Sequence, residues 1–346
     1  MTRQYLVTDG INQLGNTIVR LLLDHGQTVR VLVHPEQDAL PLKGLPVEIV
    51  HGDILVKESL KTFFEIENPR EAVVIHTAEK RAMATVRDPQ IHRINVQGTM
   101  NVTDICVKKR YGRLVYIGSA HAIPVKSNGE DISEIDHFNR DLVAGDYAKS
   151  KAEATQYILN KVALNGLNAV IVHPSGIIGP YEFGNSEVVD LIREYLSGDI
   201  TTAVTGGYDF ADVRDVAQGV LSAAEKGNKG SCYILSNQHI SSKEFLDGLQ
   251  DITGYPPLKK VVPLWMARRT AKLSRLYYRI SKKQAPIDQF ALFTIYPNVK
   301  YSHTLAEKDL QYKPRDITAS LADAVKWVKR QDRSAERAEK KEQKEA

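Results

Sequence analysis

An α/β fold is what this sequence predicts: a doubly wound parallel sheet with a smaller, mostly helical lobe built from C-terminal segments. Three observations carry that expectation. Short β-branched runs alternate with helical patterns through the first half of the chain. Those runs are mostly apolar, without a regular polar alternation. A short polar and glycine-bearing turn joins the first run to the first helical pattern. Strands without polar alternation belong to sheets buried on both faces, and strands separated by helices pair in parallel through right-handed crossovers.

The elements follow in order. Residues 5–8 read as the first strand. Residues 14–25 read as an amphipathic helix with Ile18, Leu21 and Leu22 on one face, ended by Gly26. Residues 29–33, 47–50, 72–76, 114–117 and 169–172 read as further strands, and one long helix over 89–109 precedes the fifth. Glycine and proline punctuate 174–184. Helices are expected over 186–197 and 212–226, then a strand over 231–235, then a mostly helical stretch from 241 to 330 with a loop near Tyr296, Pro297 and Asn298. The expected division is a nucleotide-binding unit over 1–174, with 205–236 returning to it, and a substrate lobe from 175–204 and 237–330. Residues 331–346 are nearly all charged or small, as in a frayed helix or a disordered tail.

At 346 residues, with 42% hydrophobic and 25% charged residues, the chain is long enough for a large core. A net charge of +4 is too small to argue for nucleic acid. Cys106 and Cys232 lie far apart in apolar stretches, which suggests small core residues and a reducing cytoplasm. No secretory signal and no run of ~20 apolar residues is expected, and no metal-ligand cluster is seen.

Tyr147 and Lys151 are four residues apart and share one helix face. An ammonium beside a phenol favours the phenolate, so this spacing predicts a Tyr147 pKa below the usual ~10 and a group able to trade protons near neutral pH. The pair follows several βα units and a strand that ends at Ser119. The first turn, Thr8-Asp9-Gly10-Ile11-Asn12-Gln13-Leu14-Gly15, sits where a helix N-terminus would face a pyrophosphate.

From about residue 4 to 330 the chain resembles the extended short-chain dehydrogenase/reductase family, in its dihydroflavonol-4-reductase-like and epimerase/dehydratase-like branch. The first turn is similar to the family's Thr-Gly-x-x-Gly-x-x-Gly. His51-Gly52-Asp53-Ile54 and His76-Thr77-Ala78 resemble motifs after the third and fourth strands, and Asn95-Val96-Gln97-Gly98-Thr99 the helix motif beneath the cofactor. Ser119, Tyr147 and Lys151 match the catalytic serine, tyrosine and lysine. The 173–180 stretch resembles the loop that reaches the nicotinamide, and 212–217 a later signature.

The resemblance implies a Rossmann sheet and an NAD(P)-dependent oxidoreductase acting on a secondary alcohol or a carbonyl. Tyr147 would move the proton, Ser119 would hold the reacting oxygen, and Lys151 would tune the phenol and hold the nicotinamide ribose, with Asn95 supporting the lysine through water. Thr8, Gly10, Asn12, Leu14, Gly15, His34, Asp53, Ile54, Thr77, Ala78, Asn95, Tyr147, Lys151, Pro174 and Ser175 would line the cofactor. NADP is slightly preferred over NAD: the second strand ends in His34-Pro35, with Glu36 and Asp38 beyond, and no carboxylate in place for ribose hydroxyls. A homodimer is a family expectation. Ala120 and His121 replace the acidic pair of the sugar dehydratases, which argues against dehydration. A nucleotide-sugar epimerase stays open, as does a dinucleotide-sensing protein without turnover.

The sensing alternative comes from two departures. Asp9 and Asn12 stand where the first two turn glycines would be. Asparagine adopts left-handed backbone more readily than most residues, which makes Asn12 tolerable. A carboxylate about 4 Å from a phosphate costs up to roughly 4 kcal/mol at an effective dielectric near 20, so Asp9 is expected to turn away or to weaken binding. A stretch without acids from 263 to 283 carries Arg268, Arg269, Lys272, Arg275, Arg279, Lys282 and Lys283. It reads as a solvated helix face, an anionic-substrate wall or a contact for anionic membranes.

Overall fold

Odd and even residues of the strands part company, and that alternation builds two cores. In the computed structural model, Tyr5, Val7, Val31, Val73, Ile75, Val115, Ile117, Val170, Val172, Tyr233 and Leu235 pack on one face of a central sheet. Leu6, Leu32, Val74, Leu114, Tyr116, Ile171 and Ile234 pack on the other. Side chains alternate along a strand, so only a sheet covered on both faces needs both sets apolar. The structure describes residues 3–81, 88–125, 130–184, 186–200, 203–255, 260–266, 269 and 299–345.

The strands are β1 (Gln4–Thr8), β2 (Thr28–Val33), β3 (Glu48–His51), β4 (Val73–His76), β5 (Arg113–Ile117), β6 (Ala169–Pro174), β7 (Gly176–Ile178), β8 (Ala203–Val204), β9 (Gly207–Asp212), β10 (Cys232–Leu235), β11 (Gln238–Ser241) and β12 (Val261–Val262). The seven-stranded sheet has the order β10-β6-β5-β4-β1-β2-β3, and its neighbours pair in parallel. The winding reverses between β1 and β4. Open sheets of this kind bind ligands in the crevice outside the carboxyl ends of those two strands.

Helices α1 (Gln13–Asp24) and α6 (Val213–Lys226) cover one face through Ile18, Val19, Leu22, Val216 and Val220. Helices α3 (Thr99–Lys109) and α4 (Asp146–Asn165) cover the other through Val102, Cys106, Ala152 and Ile158. The expected single helix over 89–109 is broken. Helix α2 (Pro89–His92) passes into a π-helical stretch over Arg93–Gly98 before α3 begins. That wider turn re-aims Asn95, and π-bulges often mark functional sites.

A third core lies apart. Helices α5 (Glu187–Leu196), α7 (Ser242–Thr253) and α9 (Ile317–Glu345) close around Ile192, Phe210, Phe245, Leu249, Leu321 and Val325. A small sheet of order β11-β9-β7 runs beneath them. Helix α8 (Thr304–Leu310) instead packs on α6 and β10. The charged C-terminal stretch is helical, since α9 runs unbroken to Glu345. Of the basic stretch at 263–283, residues 267–268 and 270–283 lie outside the described residues, as do Tyr296, Pro297 and Asn298. Among the described residues no helix is long and apolar enough to cross a membrane.

Candidate active site

The first βα turn keeps its shape by a route the sequence pattern does not suggest. The left-handed residue is Asp9, at φ 56°, while Asn12 is extended at φ −69° and ψ 165°. Left-handed tolerance is therefore not what admits Asn12. It is accepted as a helix cap: its Oδ1 accepts from Gly15 N at 2.7 Å, and its Nδ2 donates to Asp9 Oδ2 at 2.9 Å. The two departures from the glycine pattern thus satisfy each other. A Cβ on Gly10 would stand 2.5 Å from Val31 Cγ1, and one on Gly15 would stand 2.2 Å from the Asp9 carbonyl oxygen. Both glycines are required by space. Asp9 Oδ1 is buried without a hydrogen-bond partner, and burial raises the carboxyl pKa.

Thr8 lies beneath the crevice. Its Oγ1 accepts from the N–H groups of Thr77 and Ala78 at 3.0 and 3.1 Å and meets His76 Nδ1 at 2.8 Å. That hydroxyl ties β1 to β4 and is fully buried, so the expected cofactor contact by the Thr8 side chain gives way to a structural one.

Three cavities open at the carboxyl ends of the strands, the largest of them, about 660 Å³, lying against the start of α1 and edged by Asp9, Asn12, Gln13, Glu79 and Arg81. A second, of about 520 Å³, is lined by His34, Asp53, Ile54, Ala78, Asp9 and Arg93. His34 Nε2 lies 3.9 Å from Asp53 Oδ2, and Asp53 Oδ1 accepts from Leu55 N. The third, of about 90 Å³, brings together Asn12, Leu14, Thr77, Ser119, Tyr147, Pro174 and Ser175. A larger hollow of about 950 Å³, edged by Arg3, Arg70 and Arg113, sits at the amino ends of the strands, away from the predicted residues.

Ser119 leaves β5 and caps the short turn Ala120–Ala122, its Oγ accepting from His121 N at 3.2 Å. Gly118 permits a close approach there, because a Cβ would meet His173 Nδ1 at 2.5 Å. That nitrogen in turn accepts from Ser119 N at 3.1 Å. His173 is stacked on Phe138, and burial pushes its pKa down to about 4. Tyr147 and Lys151 stand in the first turns of α4, which Gly145 opens at φ 88°. Lys151 Nζ donates to the Ile117 carbonyl at 2.9 Å and lies 5.9 Å from the Tyr147 ring centre.

The charge on this pair departs from expectation. Glu79 Oε2 accepts from Tyr147 Oη at 2.9 Å and from Lys151 Nζ at 2.7 Å, and Glu79 Oε1 pairs with Arg81. The Tyr147 pKa is raised: burial dominates, the Glu79 carboxylate adds to it, and Lys151 only opposes. The lowered phenol expected from Tyr-x-x-x-Lys is not found, because burial of the phenol outweighs the ammonium and Glu79 adds to the rise. Burial alone would raise the Glu79 carboxyl, yet Lys151 and Arg81 hold it down at about 2. The direct partners of Asn95 do not include Lys151. Its side chain bonds Lys80 N and O at 2.7 and 3.0 Å and Ser150 Oγ at 3.0 Å, so it anchors the segment that carries Glu79.

Glu79, Arg81 and Tyr208 escaped the sequence reading. Glu79 carried a signal, being a charge directly after Ala78 at the end of a strand beside the switch point. Tyr208 carried none. It arrives from β9, and its hydroxyl meets His121 Nε2 across the catalytic cavity. Burial lowers the His121 pKa to about 4.

Comparison with known proteins fits this geometry. A family profile described as "NAD dependent epimerase/dehydratase family" matches residues 5–235. A Synechocystis protein provisionally named dihydroflavonol 4-reductase is 30% identical, over 93% of this chain and 94% of its own. Sterol demethylase protein B of Methylococcus capsulatus is 27% identical, over 94% and 98%. In fold the chain is similar to the UDP-glucose 4-epimerase of Thermus thermophilus solved with NAD, at a TM-score of 0.74 and 19% identity, over 94% of this chain and 99% of that one.

Proposed function

The chain belongs to the NAD-dependent epimerase/dehydratase family, and from that premise we propose that it is an NAD(P)-dependent oxidoreductase interconverting a secondary alcohol and a ketone or aldehyde. The observation that carries this reading is the convergence of Ser119 and Tyr147 on one cavity at the switch point, with Lys151 bonded behind them. In shape the crevice suits a dinucleotide. The start of α1 offers N–H groups, Gly10 and Gly15 let the turn run close to β2, and the His34 cavity is of ligand size. A nicotinamide dinucleotide, when bound, supplies or accepts the hydride.

The chain's own part is proton movement and positioning. Tyr147 Oη gives its proton to a carbonyl oxygen in reduction and takes it back in oxidation. A phenol held neutral suits the donating direction. Ser119 Oγ holds the same oxygen. Lys151, fixed by the Ile117 carbonyl, places positive charge below the phenol. His34 at the end of β2 supports NADP over NAD.

The wall of the catalytic cavity supports a largely apolar substrate. Ile117, Ile177, Val188, Phe210 and Tyr208 line much of it. That favours the reductase over the epimerase. The test is Tyr147→Phe, assayed with NADPH and NADH against a panel of apolar ketones. Turnover is expected to fall ~10²- to 10⁴-fold with cofactor binding retained. Unchanged turnover, or interconversion of UDP-sugars without net redox, defeats the reading.

A further inference from the structure

Glu79 has no role in the chemistry above, yet it touches both groups that perform it. Its Oε2 accepts from Tyr147 and Lys151, and the remaining close partner of Lys151 Nζ is the Ile117 carbonyl. A nicotinamide ribose hydroxyl would need these same donors. Glu79 also lines the catalytic cavity, the His34 cavity and the cavity against the start of α1, so it stands where the three meet. The catalytic cavity it leaves, about 90 Å³, is well below the ~300–1,000 Å³ usual for a ligand site.

We propose that Glu79 is a resident occupant of the ribose position: it holds the Tyr147–Lys151 pair in the absence of cofactor, and the dinucleotide binds as Glu79 withdraws. The inference rests on the dinucleotide-dependent reading above. Three features argue against a plain core ion pair. The carboxylate is at the junction of three cavities and not among apolar side chains. Its other oxygen is held by Arg81, which is 43% exposed and lines both the catalytic cavity and the larger cavity against α1, so a cation stays beside Glu79 if the carboxylate turns towards that larger space. The backbone of the next residue, Lys80, is pinned on both sides by Asn95, so the carboxylate can move by side-chain rotation while the strand end stays fixed. Cofactor affinity is then set by a competition between one carboxylate and two ribose hydroxyls.

The full chain is compared with Glu79→Gln and Glu79→Asp. NADPH and NADH are titrated against nicotinamide fluorescence, and phenolate absorbance is followed against pH. Glu79→Gln removes a charge-assisted contact to each donor and is expected to tighten dinucleotide binding at least ~10-fold. Glu79→Asp keeps the charge but draws it back by one methylene; a smaller gain is expected, and this variant carries the test where the glutamine form does not fold. One phenol should also titrate at lower pH in Glu79→Gln, and that shift should vanish when Tyr147→Phe is added. Equal or weaker binding by folded variants overturns the proposal. Binding by none of the proteins removes the dinucleotide reading and the competition with it; a surviving phenol shift then shows that the Glu79 contact itself was read correctly.

Discussion

The nucleotide turn and the catalytic cleft fail the family pattern in opposite ways. In the turn, residues 9 and 12 differ from the expected glycines, yet the backbone still makes its left-handed step and caps α1. In the cleft, Ser119, Tyr147 and Lys151 match the pattern, yet the phenol shifts upward, because it is buried and because Glu79 sits between the motifs. Backbone shape survives substitution when the new side chains bond each other, as Asp9 and Asn12 do. Reactivity is less forgiving, since one added charge within hydrogen-bond distance resets it.

The contrast can be broken most severely at the cleft. Lys151→Met would leave the buried Glu79 carboxylate with only Arg81 and the Tyr147 hydroxyl, and since losing one partner of a buried pair outright costs ~3–5 kcal/mol, a loss of up to that size is expected. Urea unfolding should show that loss, and Lys151→Met combined with Glu79→Gln should recover much of it. Equal stability of the single variant and the parent would mean that the Glu79 contact is not made.

On β9, burial raises the Asp209 carboxyl to about 6, from 3.8, with Asp131 adding to it. A raised folded-state pKa gives stability that is fully present below about 4 and is lost as pH rises through about 6. The loss is on the order of 3 kcal/mol across that window. Asp209→Asn should flatten the slope in unfolding measured between those pH values.

Within the turn, Gly15→Ala pushes a methyl group to 2.2 Å from the Asp9 carbonyl oxygen. Overpacking of this kind costs ~1–3 kcal/mol, and thermal melting should register it along with weaker dinucleotide binding. A neutral result would show that the turn lacks the close packing assigned to it. The smallest effect is expected from Tyr208→Phe, which frees His121 of its hydroxyl partner. The loss should be near 1 kcal/mol in stability, with KM for an apolar ketone changing more than kcat.

Much of the fold was legible because it rests on local pattern. Apolar runs at 5–8, 29–33 and 169–172 became strands of one parallel sheet, and the periodicity over 14–25 became α1 with Ile18 and Leu22 inward. The helix over 89–109 was readable only as helix; its π stretch carries Asn95, which bonds Lys80 and Ser150, and periodicity encodes neither. The candidate site divides the same way. Tyr147 and Lys151 lie one helical turn apart, so their proximity follows from spacing. Thr8 was assigned to the cofactor because its motif position was visible and the burial of its hydroxyl was not.

By itself the sequence determined the winding of the sheet, the family and the positions of the serine, tyrosine and lysine, because each depends on residue type at short spacing along the chain. The tertiary structure alone decided the charge those residues feel. Glu79 stands 68 residues from Tyr147 in the chain and within 2.9 Å of its hydroxyl, and electrostatic energy follows distance through space, to which sequence separation is blind.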